Sequence, residues 1–211
     1  VITSRNFGLL WVAVEATTLV SAPLICFHRS DRSLEAMWKY LLICSVGIGL
    51  ALFGTMLMAV SAQSLGHIGM NMDVLAEHAE KFDLGWFKGA FIFILAGYGT
   101  KMGLAPFHTW LPDAHSEAPG TISALLSGSL LNCSFLGIIR FWQITPEALK
   151  PFCGNLLTAL GILSLVIAAF FIIRQSDFKR MLAYSSVEHM GLAALLWGRG
   201  LEDYSLIHLC G

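Results

Sequence analysis

The chain is organised as long apolar stretches separated by short polar breaks. A transmembrane helix needs about 20 mostly apolar residues to cross the ~30 Å hydrocarbon layer of a bilayer. Six stretches approach that length: residues 6–27, 38–62, 85–106, 121–142, 156–173 and 179–197. No alternation of apolar and polar positions with a period of two competes with the helical pattern. The sequence therefore predicts an all-α, polytopic transmembrane helix bundle of about six spans.

The polar breaks and the third stretch refine this prediction. The acidic residues 73–83 are expected to form a loop, and residues 146–151, bounded by two prolines, a short turn. Gly103 and Pro106 predict a break in the third helix, because proline has no backbone N–H and leaves a carbonyl one turn back without its partner. A broken helix inside a membrane is tolerated where it is buried in protein or lines a water-filled cavity.

The composition excludes several classes of function. Of the 211 residues, 56% are hydrophobic and only 13% are charged, whereas about 25% are charged in soluble domains. The formal net charge is −1 and no segment gathers the basic residues, which argues against nucleic acid as a partner. Five widely spaced cysteines without a C-x-x-C pair argue against a metal or iron–sulfur site, and no cofactor is expected in this chain.

Two charged residues lie deep in the predicted spans. Glu15 is about 14 Å along the first helix, close to mid-membrane. Lys101 stands beside the predicted helix break, where the exposed carbonyls of a helix end favour a cation. Desolvation disfavours a charged amine and a nearby carboxylate favours it, so such a lysine can release and regain a proton. We predict that both residues transfer protons, the alternatives being a structural ion pair for Glu15 and an interfacial lysine for Lys101.

The connector at residues 106–119 holds two histidines and two carboxylates between prolines: His108, Asp113, His115 and Glu117. Metal binding is not favoured, because no cysteine and no tight helical pair of histidines supports it. Two interpretations remain equally open. The connector either relays protons through its histidines or is a structural element that is hydrogen-bonded across helices.

The fourth and sixth spans add further candidates. The amide of Asn132, near mid-membrane, can hold water or bond a neighbouring helix, and the second role is at least equally favoured. Glu188 lies deep in the last span, with Tyr184 and Ser185 one turn before it on the same face. With His189 beside it, this group is typical of a proton relay, although a satisfied core histidine is an equal alternative for His189 alone.

The stretch that contains the predicted helix break has a distinctive sequence. Residues 99–119, GTKMGLAPFHTWLPDAHSEAP, followed by SALLSG at residues 123–128, closely resemble the proton-translocating antiporter-like membrane subunits. That superfamily includes the large membrane subunits of NADH–quinone oxidoreductase, the Mrp sodium/proton antiporters and the membrane arms of group 4 nickel–iron hydrogenases. The segment WVAVEATTL at residues 11–19 is similar to the family's segment around a buried glutamate, which implies that Glu15 is the partner of Lys101.

Two positions resemble one branch of this superfamily. A glutamate before the histidine, Glu188-His189, is similar to component F of hydrogenase-4. Asn132 stands where many family members have a second membrane lysine, and in having asparagine there the chain resembles hydrogenase-4-type chains. The resemblance then implies that waters, Asn132 or the histidines bridge the gap that a lysine-to-lysine transfer would otherwise cross.

The resemblance also implies a domain organisation. Residues 1–211 form a single transmembrane domain, in which residues 1–142 are most of a first inverted repeat and residues 152–211 the start of a second. The segments DFKR at residues 177–180 and AYSS at residues 183–186 look like the beginning of that second repeat. Without an initiator Met or a signal peptide, we expect the chain to be part of a longer protein, roughly the fifth to the tenth of about fourteen helices.

The function that the resemblance implies is proton translocation in a membrane-bound hydrogenase or formate hydrogenlyase complex of a prokaryotic inner membrane. Glu15, Lys101, Glu188 and His189 would carry the protons, or sodium in their place. Redox chemistry would take place in partners, namely other membrane subunits and a peripheral nickel–iron-hydrogenase-type arm, while this chain contacts lipid and holds no redox centre. The alternatives are an NADH–quinone oxidoreductase or Mrp-type antiporter subunit, and a structural membrane scaffold that translocates nothing.

Overall fold

The computed structural model of the chain describes residues 1–63 and 69–210, and these ranges contain helices and no β-strand. The α-helices are α1 (Phe7–Ile25), α2 (Asp31–Ser61), α3 (Met72–Glu77), α4 (Leu84–Met102), α5 (Trp110–Glu117), α6 (Gly120–Leu125), α7 (Leu131–Gln143), α8 (Lys150–Arg174), α9 (Phe178–Gly198) and α10 (Glu202–Cys210). Short 3-10 turns lie at Ala79–Lys81, Phe107–Thr109 and Glu147–Leu149, and the π-helical segment Leu126–Leu130 joins α6 to α7.

The long helices match the predicted spans. Five helical segments of the described ranges are long and apolar enough to cross a membrane: Phe7–Ile25, Asp31–Ser61, Leu84–Glu117, Gly120–Gln143 and Glu147–Arg174. The sixth predicted span is α9, which has 21 residues and a more polar composition. The prediction of an all-α, polytopic transmembrane bundle is confirmed.

Polar residues in the breaks determine where several spans begin. The side chains of Asn6, Asp83 and Asp177 each accept two hydrogen bonds from first-turn N–H groups of α1, α4 and α9. Ser30 forms a reciprocal capping box with Ser33 at the start of α2. Each cap satisfies backbone donors that have no partner inside the helix, so the polar breaks act as start signals as well as connections.

The structure refines three sequence-based expectations about the breaks. The second helix begins at Asp31 rather than residue 38. Its 31 residues extend over roughly 46 Å, so its first turns project beyond a ~30 Å apolar layer and were not part of the apolar stretch. Residues 146–151 are not merely a turn, since α8 already begins at Lys150 with Pro151 in its first turn, where a missing N–H does no harm. Residues 73–83 include most of the short helix α3 rather than a simple loop.

Glycines allow two pairs of long helices to pack with their backbones in contact. Helix α2 lies against α4 at Gly97, where an added Cβ would be 2.5 Å from the Ala51 nitrogen. Helix α8 lies against α9 in the same way at Gly161, where a Cβ would be 2.7 Å from the carbonyl oxygen of Gly191. Small residues at helix interfaces are the usual means of close packing in membranes, where lipid gives helices little hydrophobic reason to associate.

The predicted break follows α4 directly. The helix ends at Met102, and Gly103 adopts the left-handed conformation with φ of 81°, which glycine adopts without steric cost. The Thr100 carbonyl at the helix end accepts from the indole nitrogen of Trp110 at 2.8 Å as well as from the Gly103 nitrogen at 3.2 Å. Beyond the break, the Ala105 nitrogen donates to the hydroxyl of Ser164 on α8 at 2.9 Å. The broken helix is therefore enclosed by protein, as non-helical backbone at membrane depth requires.

Candidate functional site

Lys101 lies in the last turn of α4 and is fully buried, with a relative exposure of 0%. Its Nζ donates to the Thr18 hydroxyl of α1 and to the Tyr40 hydroxyl of α2, the latter at 3.0 Å. The nitrogen also lies 5.0 Å from the centre of the Tyr40 ring. A buried amine without partners would be strongly disfavoured, and the two hydroxyls occupy two of the three donors of an ammonium group.

Glu15 is joined to this lysine through a hydroxyl rather than by direct contact. The Thr18 hydroxyl, three residues further along α1, donates to Oε2 of Glu15 at 3.3 Å, and Ser45 of α2 donates to Oε1 at 3.0 Å. The ion pairs among the described residues do not include Glu15 with Lys101. The two charged groups of opposite sign therefore share one hydroxyl as their common hydrogen-bond partner.

Tyr40 provides a second branch from the same amine. Its hydroxyl lies 2.7 Å from the Ser21 hydroxyl, and Ser21 in turn donates to the Thr18 carbonyl at 3.3 Å. The Tyr40 ring packs against Trp110 with 5.0 Å between ring centres. Since the Tyr40 oxygen accepts from Lys101, its own proton points to Ser21. Both branches thus run from the amine outward, one ending on a carboxylate and the other on a backbone carbonyl.

The connector residues are placed around the break but not on the amine. His108 and His115 are both buried, at 7% and 3% exposure. His115 Nδ1 lies 2.6 Å from the Ser123 hydroxyl, while His108 Nδ1 and His115 Nε2 have no hydrogen-bond partner among the described residues. The His108 ring lies 6.1 Å from that of Tyr184. The relay role of both histidines stays a prediction.

Asp113 lies at the centre of a charged cluster at one end of the bundle. Its Oδ2 pairs with Lys39 at 3.0 Å and its Oδ1 with Arg180, so α5 is tied to both α2 and α9. Glu117 and Arg32 both line the polar cavity of about 430 Å³ beside these pairs. The pairing of Asp113 matches the structural-connector interpretation; its role in proton relay, and that of Glu117, stay predictions.

The structure does not bring the remaining candidates to Lys101. Glu188 and His189 are exposed on α9 in the described chain, and His189 Nδ1 lies 3.2 Å from Nε2 of His208 on α10. The Asn132 amide donates to the Gly128 carbonyl of its own helix at 2.8 Å, and its oxygen has no partner among the described residues. No hydrogen bond in those ranges joins Glu188 to Glu15 or Lys101. Their part in transfer stays a prediction.

Three side chains that hydrogen-bond Lys101 or Glu15 were not predicted from the sequence: Thr18, Tyr40 and Ser45. A weak signal was present for Thr18, because it lies three residues after Glu15 on the same helical face. Tyr40 and Ser45 gave no such signal, since hydroxyl residues are common in membrane helices as interhelical hydrogen bonders. Within residues 1–63 and 69–210, no three His, Cys, Asp or Glu side chains are grouped so that they could hold a metal ion.

Comparison with known sequences gives a consistent picture over nearly the whole chain. Residues 4–209 match the family described as NADH:quinone oxidoreductase/Mrp antiporter, TM. The chain is 46% identical to a hydrogenase-4 component F homolog of Methylacidiphilum infernorum, over 98% of this chain and 45% of that protein. It is 32% identical to NADH-quinone oxidoreductase subunit N of Cupriavidus taiwanensis, over 92% of this chain and 39% of that protein. The chain therefore spans less than half the length of these relatives.

Comparison with solved structures supports the same fold. The chain aligns with a TM-score of 0.88 and 24% identity to a chain of the membrane-bound sulfane sulfur reductase, an archaeal respiratory membrane complex. The alignment covers 98% of this chain and 42% of that chain. At this identity the likeness shows a shared helical architecture and no more.

Proposed function

Because the chain belongs to the NADH:quinone oxidoreductase/Mrp antiporter membrane family, we propose that it is part of a subunit that moves protons across a membrane. In this proposal Lys101 is the group that accepts and releases the proton, and Glu15 adjusts how firmly the amine holds it. Glu188 and His189 would pass the proton onward. Redox chemistry in partner subunits would drive these changes of protonation, and no redox centre is needed in this chain.

The observation that carries the proposal is the burial of Lys101 with a carboxylate only one hydroxyl away. An amine inside a bilayer is disfavoured by desolvation unless it is paired, so such residues are commonly functional. The position of Lys101 at a helix end adds the negative end of the helix dipole, which favours the ammonium. Desolvation disfavours the ammonium form of Lys101, whereas the carbonyls of the helix end and Glu15 favour it. An amine under two opposing influences is suited to changing its protonation state.

The complex to which the subunit belongs is a finer proposal, and we favour a membrane-bound hydrogenase or formate hydrogenlyase. The 46% identity to a hydrogenase-4 component F homolog supports it. The partners would then be other membrane subunits and a peripheral nickel–iron-hydrogenase-type arm. The membrane would be a prokaryotic inner membrane, and protons, with sodium as the alternative ion, would be the cargo.

A subunit of NADH–quinone oxidoreductase or an Mrp-type antiporter is the second candidate, supported by the 32% identity to a subunit N. Purification of the intact complex through a tag on this subunit separates the two. A co-purifying peripheral arm that contains nickel and oxidises or evolves hydrogen is expected. Recovery of NADH-oxidising subunits without nickel, or of sodium/proton exchange without any redox arm, would favour the second candidate.

Proton transfer by Lys101 is tested in membrane vesicles that hold the intact complex. Lys101→Met keeps the length and apolar stem, and Lys101→Arg keeps the positive charge on a group that does not release its proton. We expect both variants to assemble and both to lower redox-driven proton uptake by about tenfold or more, as for loss of a positioned acid–base group.

Lys88→Met is the matched control, because Lys88 lies on the same helix but is exposed. It is expected to leave proton uptake unchanged. If Lys101→Met assembles and pumps like the unmodified complex, the subunit is a structural scaffold and the proposed function is wrong. If only Lys101→Arg pumps normally, the lysine contributes a fixed charge and not a changing one.

A further inference from the structure

The Thr18 hydroxyl occupies the space between the buried amine and the buried carboxylate. It accepts from Lys101 Nζ and donates to Glu15 Oε2, and the Thr18 side chain is itself fully buried. A threonine in a membrane helix most often bonds a carbonyl of its own helix, as its neighbour Thr17 does with Val14 at 2.6 Å. Thr18 instead has both of its hydrogen bonds with charged side chains.

From this arrangement we infer that Lys101 and Glu15 exchange a proton through the hydroxyl of Thr18, and that Thr18 is a proton-carrying residue of the site. The inference rests on the proposed function, because it assigns a route to the proton that Lys101 handles. In the step, one Nζ–H bond breaks as a new Oγ1–H bond forms on Thr18. The original Oγ1–H bond breaks as the proton joins Oε2 of Glu15.

The step conserves atoms and requires no electron transfer. An ammonium and a carboxylate become a neutral amine and a neutral carboxylic acid, with threonine regenerated in between. Afterwards the Thr18 hydroxyl donates to the amine and accepts from the acid, so each buried polar group keeps a partner. The neutral pair is reasonable in this environment, because taking two charges out of water is strongly disfavoured and neutralisation removes that penalty.

The Tyr40 branch makes the neutral state of the amine acceptable. A neutral amine has one lone pair and two N–H donors, in place of the three donors of ammonium. The Thr18 hydroxyl can donate to that lone pair while one N–H still bonds the Tyr40 oxygen, now 3.0 Å away. Tyr40 therefore holds the nitrogen in position through the exchange, and the Tyr40–Ser21 hydrogen bond is not broken.

Substitutions at position 18 separate this role from a packing role. Thr18→Val fills the same volume without a hydroxyl, and Thr18→Ala leaves room for a water between two polar partners. Thr18→Ser keeps the hydroxyl. We expect proton uptake of about the unmodified rate for Ser, an intermediate rate for Ala, and a rate lower by about tenfold or more for Val.

Thermal stability is measured for both variants that lack the hydroxyl, because each leaves the amine and the carboxylate short of a hydrogen-bond partner. Ala also opens a cavity, so a threonine that only fills volume would make Ala the weaker variant in both stability and pumping. Thr17→Val is the control and is expected to pump normally. Pumping by Val that equals or exceeds pumping by Ala would overturn the inference, as would a failure of Ser to restore it.

The same vesicles distinguish failure of this inference from failure of the proposed function. If Lys101→Met stops proton uptake while Thr18→Val leaves it unchanged, the lysine moves protons by another route and only the role of Thr18 is wrong. If neither variant affects uptake, the proposed function itself is wrong. Should Thr18→Val not assemble, the comparison of Ala with Ser applies the same test, since uptake in Ala equal to that in Ser would refute the role of the hydroxyl.

Discussion

Gly97 lies on α4 where its backbone touches that of α2, and replacing it by alanine tests how the site depends on this contact. A Cβ at Gly97 would lie 2.5 Å from the Ala51 nitrogen and 2.6 Å from the Gly47 carbonyl oxygen. Both obstacles are backbone atoms, which cannot turn aside as a flexible side chain can. The two helices must therefore separate by about 1 Å before ordinary contact distances are restored.

That separation is large compared with the tolerance of the site. Lys101 lies one turn beyond Gly97 on α4, and its hydrogen-bond partner Tyr40 is on α2 at 3.0 Å. A displacement of about 1 Å between the helices takes this pair past about 3.6 Å, where a hydrogen bond is no longer made. Overpacking of this kind costs about 1–3 kcal/mol, and loss of a hydrogen bond to a charged group about 1.5–3 kcal/mol. We expect Gly97→Ala to lower both thermal stability and proton uptake.

Gly49→Ala provides the control, because no atom of the described residues lies within 4 Å of a Cβ placed there. Both variants are measured as intact complexes, by the midpoint of thermal unfolding in detergent and by redox-driven proton uptake in vesicles. Gly97→Ala should be impaired in both measurements, and Gly49→Ala in neither. Equal behaviour of the two variants would refute the reasoning that backbone contact between α2 and α4 sets the geometry around Lys101.

Two further predictions concern single polar groups. Tyr40→Phe keeps the ring but removes the oxygen that accepts from Lys101, so proton uptake should fall. Tyr98→Phe should have little effect on uptake, because the Tyr98 hydroxyl has no hydrogen-bond partner among the described residues. Equal loss of uptake in both variants would contradict the role assigned to Tyr40. Asp113→Asn removes two half-exposed ion pairs worth about 0–1 kcal/mol each. The midpoint of thermal unfolding should therefore fall only slightly, and the difference should shrink at high salt. A large loss that does not depend on salt would show that packing and not charge is responsible.

The spans and the two central charges were predictable from the sequence for clear physical reasons. An apolar stretch of about 20 residues has few alternatives to a transmembrane helix, and a charge inside it is conspicuous because lipid disfavours it. Glu15 and Lys101 were identified in this way. The break was also predictable, since Gly103 supplies the left-handed residue that ends α4. The start of α2 was not, because residues 31–37 extend the helix beyond the apolar stretch.

The hydroxyls around Lys101 could not be predicted in the same way. Their role depends on which faces of α1, α2 and α4 meet, and that rotation is set by the glycine contacts between α2 and α4 rather than by hydropathy. In the observed orientation of α2, the Tyr40 hydroxyl accepts from Lys101 and the Ser45 hydroxyl donates to Glu15. The partnership expected between Glu15 and Lys101 takes the form, in the structure, of a link through the hydroxyl of Thr18.

The close packing of the helices and the buried amine are parts of one physical arrangement. A lysine side chain is long and flexible, and a direct ion pair with Glu15 would hold the proton on the nitrogen firmly, because attraction between charges is strong where water is excluded. Placing Thr18 between them keeps a hydrogen bond on each group while increasing the distance between the charges. This arrangement of Thr18 between the two charges requires that the amine of Lys101 does not move into direct contact with Glu15. The Tyr40 hydroxyl restrains it, at a distance set by glycine-mediated contact of α2 with α4. In the proposed function, the backbone contact between α2 and α4 therefore controls how readily Lys101 changes its protonation state.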